Sequence, residues 1–168
     1  MNRKRTRFFI FTALLTAGAV ILNSLDMLLP TPVPNMRIGI AHVMTIIAVY
    51  VIGLRGAGLV ILFKLIISAL LWGKFGTPGF FIALAGNAAT FSFLVIGKRF
   101  LSIIPLSVGA AFFNNLGQFA VVFFFFIPHL EILWLFAILL AIGCFTGTII
   151  GITAQQLLRR IGNGSLNN

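Results

Sequence analysis

A lysine at position 64 interrupts an apolar run, Gly56 to Gly73, that carries no other charge. Where such a run lies in hydrocarbon, an ammonium is costly. It lines an internal cavity, reaches the interface along its aliphatic stem, or rests on backbone carbonyls. A second polar group stands in "GAAFFNNLGQF": Asn114 and Gln118 are four residues apart and Asn115 and Gln118 three apart, so one helical face gathers amides. These amides either wall a pocket or serve as interhelical hydrogen bonds worth ~0.6 kcal/mol each in a membrane. Asn87 in "LAGNAAT" and His42 in "GIAHVMT" repeat the theme near the starts of two further apolar runs. The chemistry available to Lys64, His42, Asn87, Asn114, Asn115 and Gln118 is recognition by hydrogen bonding.

The stretch "LPTPVPNMRIGIAH" joins two of the runs. Pro30, Pro32 and Pro34 stiffen it, and Arg37 follows the aspartate, Asp26, that ends the preceding run. Two readings stand: a lid with Arg37 presenting a planar donor to an anionic or carbonyl group, or a stiff hairpin held by an Asp26–Arg37 pair. Enzyme and metal chemistry lack their residues. The histidines are His42 and His129 and the carboxylates Asp26 and Glu131, too few for a zinc site or for magnesium and diphosphate. No glycine-rich phosphate loop is present, so ATP hydrolysis needs another protein. The single cysteine, Cys144, excludes an internal disulfide.

The elements that must position these groups follow from composition. With 60% hydrophobic and 8% charged residues the chain is far from a soluble domain and reads as a membrane protein. Segments such as "VVFFFF" and "LFAILLAIG" lack the alternation of a membrane β-barrel. The reading is all-α: a single integral domain, residues 1–168, with six transmembrane helices at about 8–29, 38–53, 56–72, 80–97, 103–127 and 133–158. The net charge of +10 is not that of a nucleic-acid binder, because the cations sort by side. Arg3, Lys4, Arg5, Arg7, Arg55, Lys98, Arg99, Arg159 and Arg160 collect on one face and only Arg37 and Lys74 on the other, which orients both termini to the cytoplasm. "MNRKRTRFFIFTALL" has the look of a signal peptide, but its apolar run continues into Asp26 and the prolines, so it is read as an uncleaved first helix.

In that helix Ala13 and Ala17 make a small-xxx-small face, extended by Gly18 and Ala19, on which another helix can pack closely. Together, "LLPTPVPNMRIGIAHVMTIIAVYVIG", "GTPGFFIALAGNAATF" and "SVGAAFFNNLGQ" resemble the Gx transporter family of small bacterial membrane proteins, often labelled heptaprenyl diphosphate synthase component I. The likeness spans about Thr12 to Arg160. That family is similar to the substrate-binding S components of energy-coupling factor transporters. The resemblance implies a six-helix bundle that binds a vitamin-like molecule in its outward half, under a gating loop after the first helix. It also implies docking through the Ala13/Ala17 face on a coupling transmembrane subunit that works with two cytoplasmic ATPases. The chain departs from the family pattern at His42, Lys64 and Asn114, where asparagine, arginine and a preceding histidine are the commoner features, so the ligand is left open. The other reading is a membrane subunit of a flavin- or quinone-linked electron-transfer system, with the redox cofactor bound as a ligand, since the chain supplies no haem or cluster ligands of its own.

Overall fold

The computed structural model describes residues 3–28, 39–126 and 132–164. They form α1 (Arg3–Leu28), α2 (His42–Val51), α3 (Gly53–Leu71), α4 (Pro78–Gly97), α5 (Ile103–Phe125) and α6 (Ile132–Gly164), with no strand among the described residues. All but α2 are long and apolar enough to cross a membrane. At 1.5 Å per residue, the ten residues of α2 reach about 15 Å, half the hydrocarbon thickness. The expected helix from residue 38 therefore starts later, because Gly39 adopts φ 95° and Gly39–Ala41 form a turn in which the His42 amide donates to Gly39 O at 2.9 Å. A side chain at Gly39 would also meet the His42 ring.

Local chemistry sets the other ends. α3 stops in a Schellman motif: Gly73 takes φ 61°, its amide donates to Leu70 O, and the Lys74 amide donates to Ala69 O at 2.8 Å. Thr77 is extended ahead of Pro78, whose missing N–H costs nothing in the first turn of α4. Pro105, the third residue of α5, also falls in a first turn.

Packing is most extensive along the α4–α5 and α5–α6 hairpins, α1 lies on α3, and α3 meets α4 over a much smaller contact. The α5–α6 seam is built on "GCFTGTIIG", where Gly143, Gly147 and Gly151 recur every four residues. A Cβ at Gly147 would lie 2.9 Å from Val108 Cα, and one at Gly151 equally close to Ile104 Cα. In lipid, where burial of apolar side chains offers little net gain, such close backbone approach and its dispersion contacts hold helices together. The outer surface carries large exposed side chains, among them Leu14, Leu71, Phe100, Phe124, Trp134 and Phe145. A bundle whose outside is this apolar is matched to lipid.

Inside, two apolar clusters are stacked. The larger joins Leu15, Ile46, Val49, Val60, Leu94, Leu106 and Ile150; the smaller joins Ile82, Val122 and Leu139 beneath Phe119. Along α3, α4 and α5 the buried Lys64, Asn87, Asn114 and Gln118 fall between or beside these clusters, so the core contains a polar layer.

The glycine ridge gives a direct expectation. Gly147→Leu should prevent stable folding and Gly147→Ala should cost about 1–3 kcal/mol by overpacking, whereas Thr148→Ala, exposed one residue on, should leave thermal unfolding in detergent nearly unchanged.

Candidate functional site: a buried polar hollow

Five helices and the turn before the second contribute to the polar layer. Asn23 and Asp26 come from the end of α1, Gly39 and Ala41 from the turn before α2, His42 from its first position, Lys64 from α3, Ala83 and Asn87 from α4, and Asn114 and Gln118 from α5. Each of the polar side chains is more than nine-tenths buried. The hollow they enclose has a volume of about 10 Å³, about the room one water needs. A drug-sized ligand needs roughly 300 Å³ or more.

The walls are tied by specific bonds. Asp26 Oδ2 accepts the Gly39 amide at 2.8 Å, closing the end of α1 onto the entry to α2. Gly39 O, which can only accept, lies 2.9 Å from His42 Nδ1, so that nitrogen carries the proton. His42 Nε2 is then an acceptor, 3.4 Å from the Thr90 hydroxyl, whose single proton is shared between it and Ala110 O on α5 at 3.3 Å. Asn87 Nδ2 donates to Ala83 O at 2.7 Å, which leaves its buried Oδ1 as an acceptor without a hydrogen bond. Gly86 brings α5 close: a Cβ there would lie 2.7 Å from both Asn114 Oδ1 and Gln118 Cγ. Among the described residues no three of His, Cys, Asp and Glu gather as a metal site would require.

The residues singled out by sequence thus separate. His42, Lys64, Asn87, Asn114 and Gln118 meet at the hollow. Asn115 does not: it is buried against α6, with Nδ2 donating to Leu139 O at 3.0 Å beside Gly143. One residue is 100° of helix, enough to turn it from the hollow to the neighbouring helix. Arg37, Pro30, Pro32 and Pro34 lie outside the described residues. Asn23, Asp26 and Thr90 belong to the layer although sequence reasoning did not place them there. For the two on α1 a signal was present, since Thr12, Thr16, Asn23 and Asp26 fall on one buried stripe of that helix.

Ala13 and Ala17 lie on another face of α1 and are exposed. With Phe9, Ile21 and, on α3, Phe63 and Ile67 they line an apolar groove of about 830 Å³. It is larger than the hollow but has almost no polar surface, so it suits a helix or lipid rather than a polar solute.

A family model described as heptaprenyl diphosphate synthase component I matches residues 15–157, nearly all of the described bundle. The chain belongs to this family. No curated protein and no solved structure matches it. Within this family member the matched region takes in every wall of the hollow, from Asn23 on α1 to Gln118 on α5.

The Asp26–Gly39 bond is testable. Asp26→Ala leaves a buried amide without its acceptor and should cost about 1–3 kcal/mol. Asp26→Asn keeps an oxygen there and should cost clearly less; equal losses in thermal unfolding would mean the bond does not hold the α1–α2 junction.

Proposed function

We propose that this chain is the membrane-embedded substrate-binding subunit of an energy-coupling factor transporter, capturing a small vitamin- or cofactor-like solute at the outer face of a bacterial plasma membrane. The observation that carries this reading is the convergence of Lys64, His42, Asn87, Asn114 and Gln118 from four helices on one buried hollow. Polar groups brought so far into an apolar bundle, and drawn from separate segments, are what binding a polar solute requires. All the helices cross in this reading, α2 with the help of the residues before it, and both termini are cytoplasmic, which puts Asp26, Gly39 and the hollow in the outward half.

The small volume has a mechanical consequence. A solute enters only when the segments around the hollow part, and the Asp26–Gly39 bond is the tie between the two that residues 29–38 connect. Those residues, with Pro30, Pro32, Pro34 and Arg37, act as the lid. Energy comes from outside the chain: a coupling transmembrane subunit docks on the exposed Ala13/Ala17 face and two cytoplasmic ATPases drive reorientation.

The family's name suggests a prenyl diphosphate synthase, but the chain has two acidic residues in all, and Asp26, the one that is described, is engaged with Gly39. Holding magnesium and diphosphate takes several carboxylates, so the chain itself is read as a binding subunit without catalysis.

Protein extracted in mild detergent should carry a small molecule detectable by mass spectrometry. Lys64→Ala should reduce its retention at least tenfold while helicity and thermal unfolding stay close to wild type; undiminished retention would remove Lys64 from the site. Ala17→Leu should leave retention intact and deplete co-purifying ATPases. If the same ATPases follow the variant at wild-type yield, docking lies elsewhere.

A further inference from the structure

The restricted α3–α4 contact leaves a further groove, of about 550 Å³, on the lipid-facing side of the bundle. Its walls are apolar, with Gly58 and Leu62 on α3 and Leu84 and Phe91 on α4. Gly58 lets the Phe91 ring pack against α3, because a Cβ there would lie 3.0 Å from that ring. The two ends differ. One end is Arg55, exposed in the first turn of α3; the other reaches Asn87, the residue that also walls the polar hollow.

Three features choose the occupant. From Arg55 to Leu65 is ten residues, about 15 Å of helix, which is the depth of one leaflet of a ~30 Å hydrocarbon core. Polarity runs the way it does in a lipid, with a cation at the interface end and hydrocarbon beneath, which fits an amphiphile entering head-outermost. Among the described residues Arg55 has no carboxylate near it: the one carboxylate among them, Asp26, is at the far end of α1, beside Gly39. Lys98, which donates to Val49 O at 2.7 Å, and Arg99 follow the end of α4, at the end of the bundle where α3 begins, so that end is cationic. A guanidinium in such a place pairs bidentately with a phosphate.

We propose that the α3–α4 groove is a binding site for one anionic phospholipid of the leaflet facing Arg55, with the phosphate on the guanidinium and an acyl chain lying against Gly58 and Phe91. The site is separate from the solute hollow and touches it through Asn87.

The test uses the full chain, delipidated in detergent and titrated with phosphatidylglycerol or phosphatidylcholine of identical chains, read by native mass spectrometry. One phosphatidylglycerol should be retained per chain at least fivefold better than phosphatidylcholine. Arg55→Gln should remove that preference, while Arg99→Gln, an exposed cation at the same end of the bundle, should keep it. Leu84→Trp, which fills the groove from an exposed position, should lower retention of both lipids, and excess inorganic phosphate should not displace the lipid. Equal retention of the two lipids by wild type, or equal losses in the Arg55 and Arg99 variants, would overturn the proposal. Displacement by inorganic phosphate would reduce it to a surface anion contact.

Discussion

The structure is governed by the lack of water inside a lipid-immersed bundle. A polar group there must find its partner within the protein, and one left without costs several kcal/mol. That constraint explains why the polar residues are gathered. Asp26 receives the Gly39 amide, His42 bridges Gly39 and Thr90, Thr90 reaches α5, and Asn87 uses its own helix. All of these but the Asn87 bond cross between segments or end one, so the layer fixes the register of α1, α2, α4 and α5 relative to one another. The apolar clusters on either side lack directional contacts and supply none of that specificity.

The shortness of α2 belongs to the same constraint. Non-helical backbone at membrane depth is tolerated where protein covers it or where it lines a cavity. Gly39 and Ala41 are both buried and both line the hollow. Ending the helix there brings backbone amides to the polar layer, and the side chain of Asp26 takes one of them. A continuous helix would hide those amides in its own ladder and leave Asp26 without this donor.

Much of this was legible in the sequence. Long uncharged runs bounded by glycine, proline or cations mark the helices, and most observed ends fall within a few residues of them, because helix formation in lipid follows from hydrophobic length alone. The α2 start was not legible, since the turn at Gly39 is fixed by a tertiary bond to Asp26. The amides were visible as polar residues in apolar surroundings, but their partners were not: Asn114 and Asn115 are adjacent in sequence and face different neighbours. The stripe Thr12, Thr16, Asn23 and Asp26 was readable as an inward face of α1. So was the four-residue glycine repeat of α6, whose meaning depends on α5 lying opposite.

Helix α3 connects these features. Lys64 faces the hollow, Phe63 and Ile67 face the groove shared with the exposed alanines of α1, and Leu62 faces the groove shared with α4. Because close-packed elements shift as units, α3 cannot move toward or away from α4 without changing the wall that carries Lys64. Its small contact with α4, set against the extensive α4–α5 and α5–α6 seams, makes the α3–α4 boundary a weak line in the bundle. Opening along that line separates α1–α3 from α4–α6, parting Lys64 from Asn87 and Asn114. The tie most directly opposed to it runs through His42, since α2 contacts α1 and α3 on one side and α5 and α6 on the other. The polar layer is therefore also the clasp between the two halves, and a solute that satisfied those same groups could replace the bonds that hold them together.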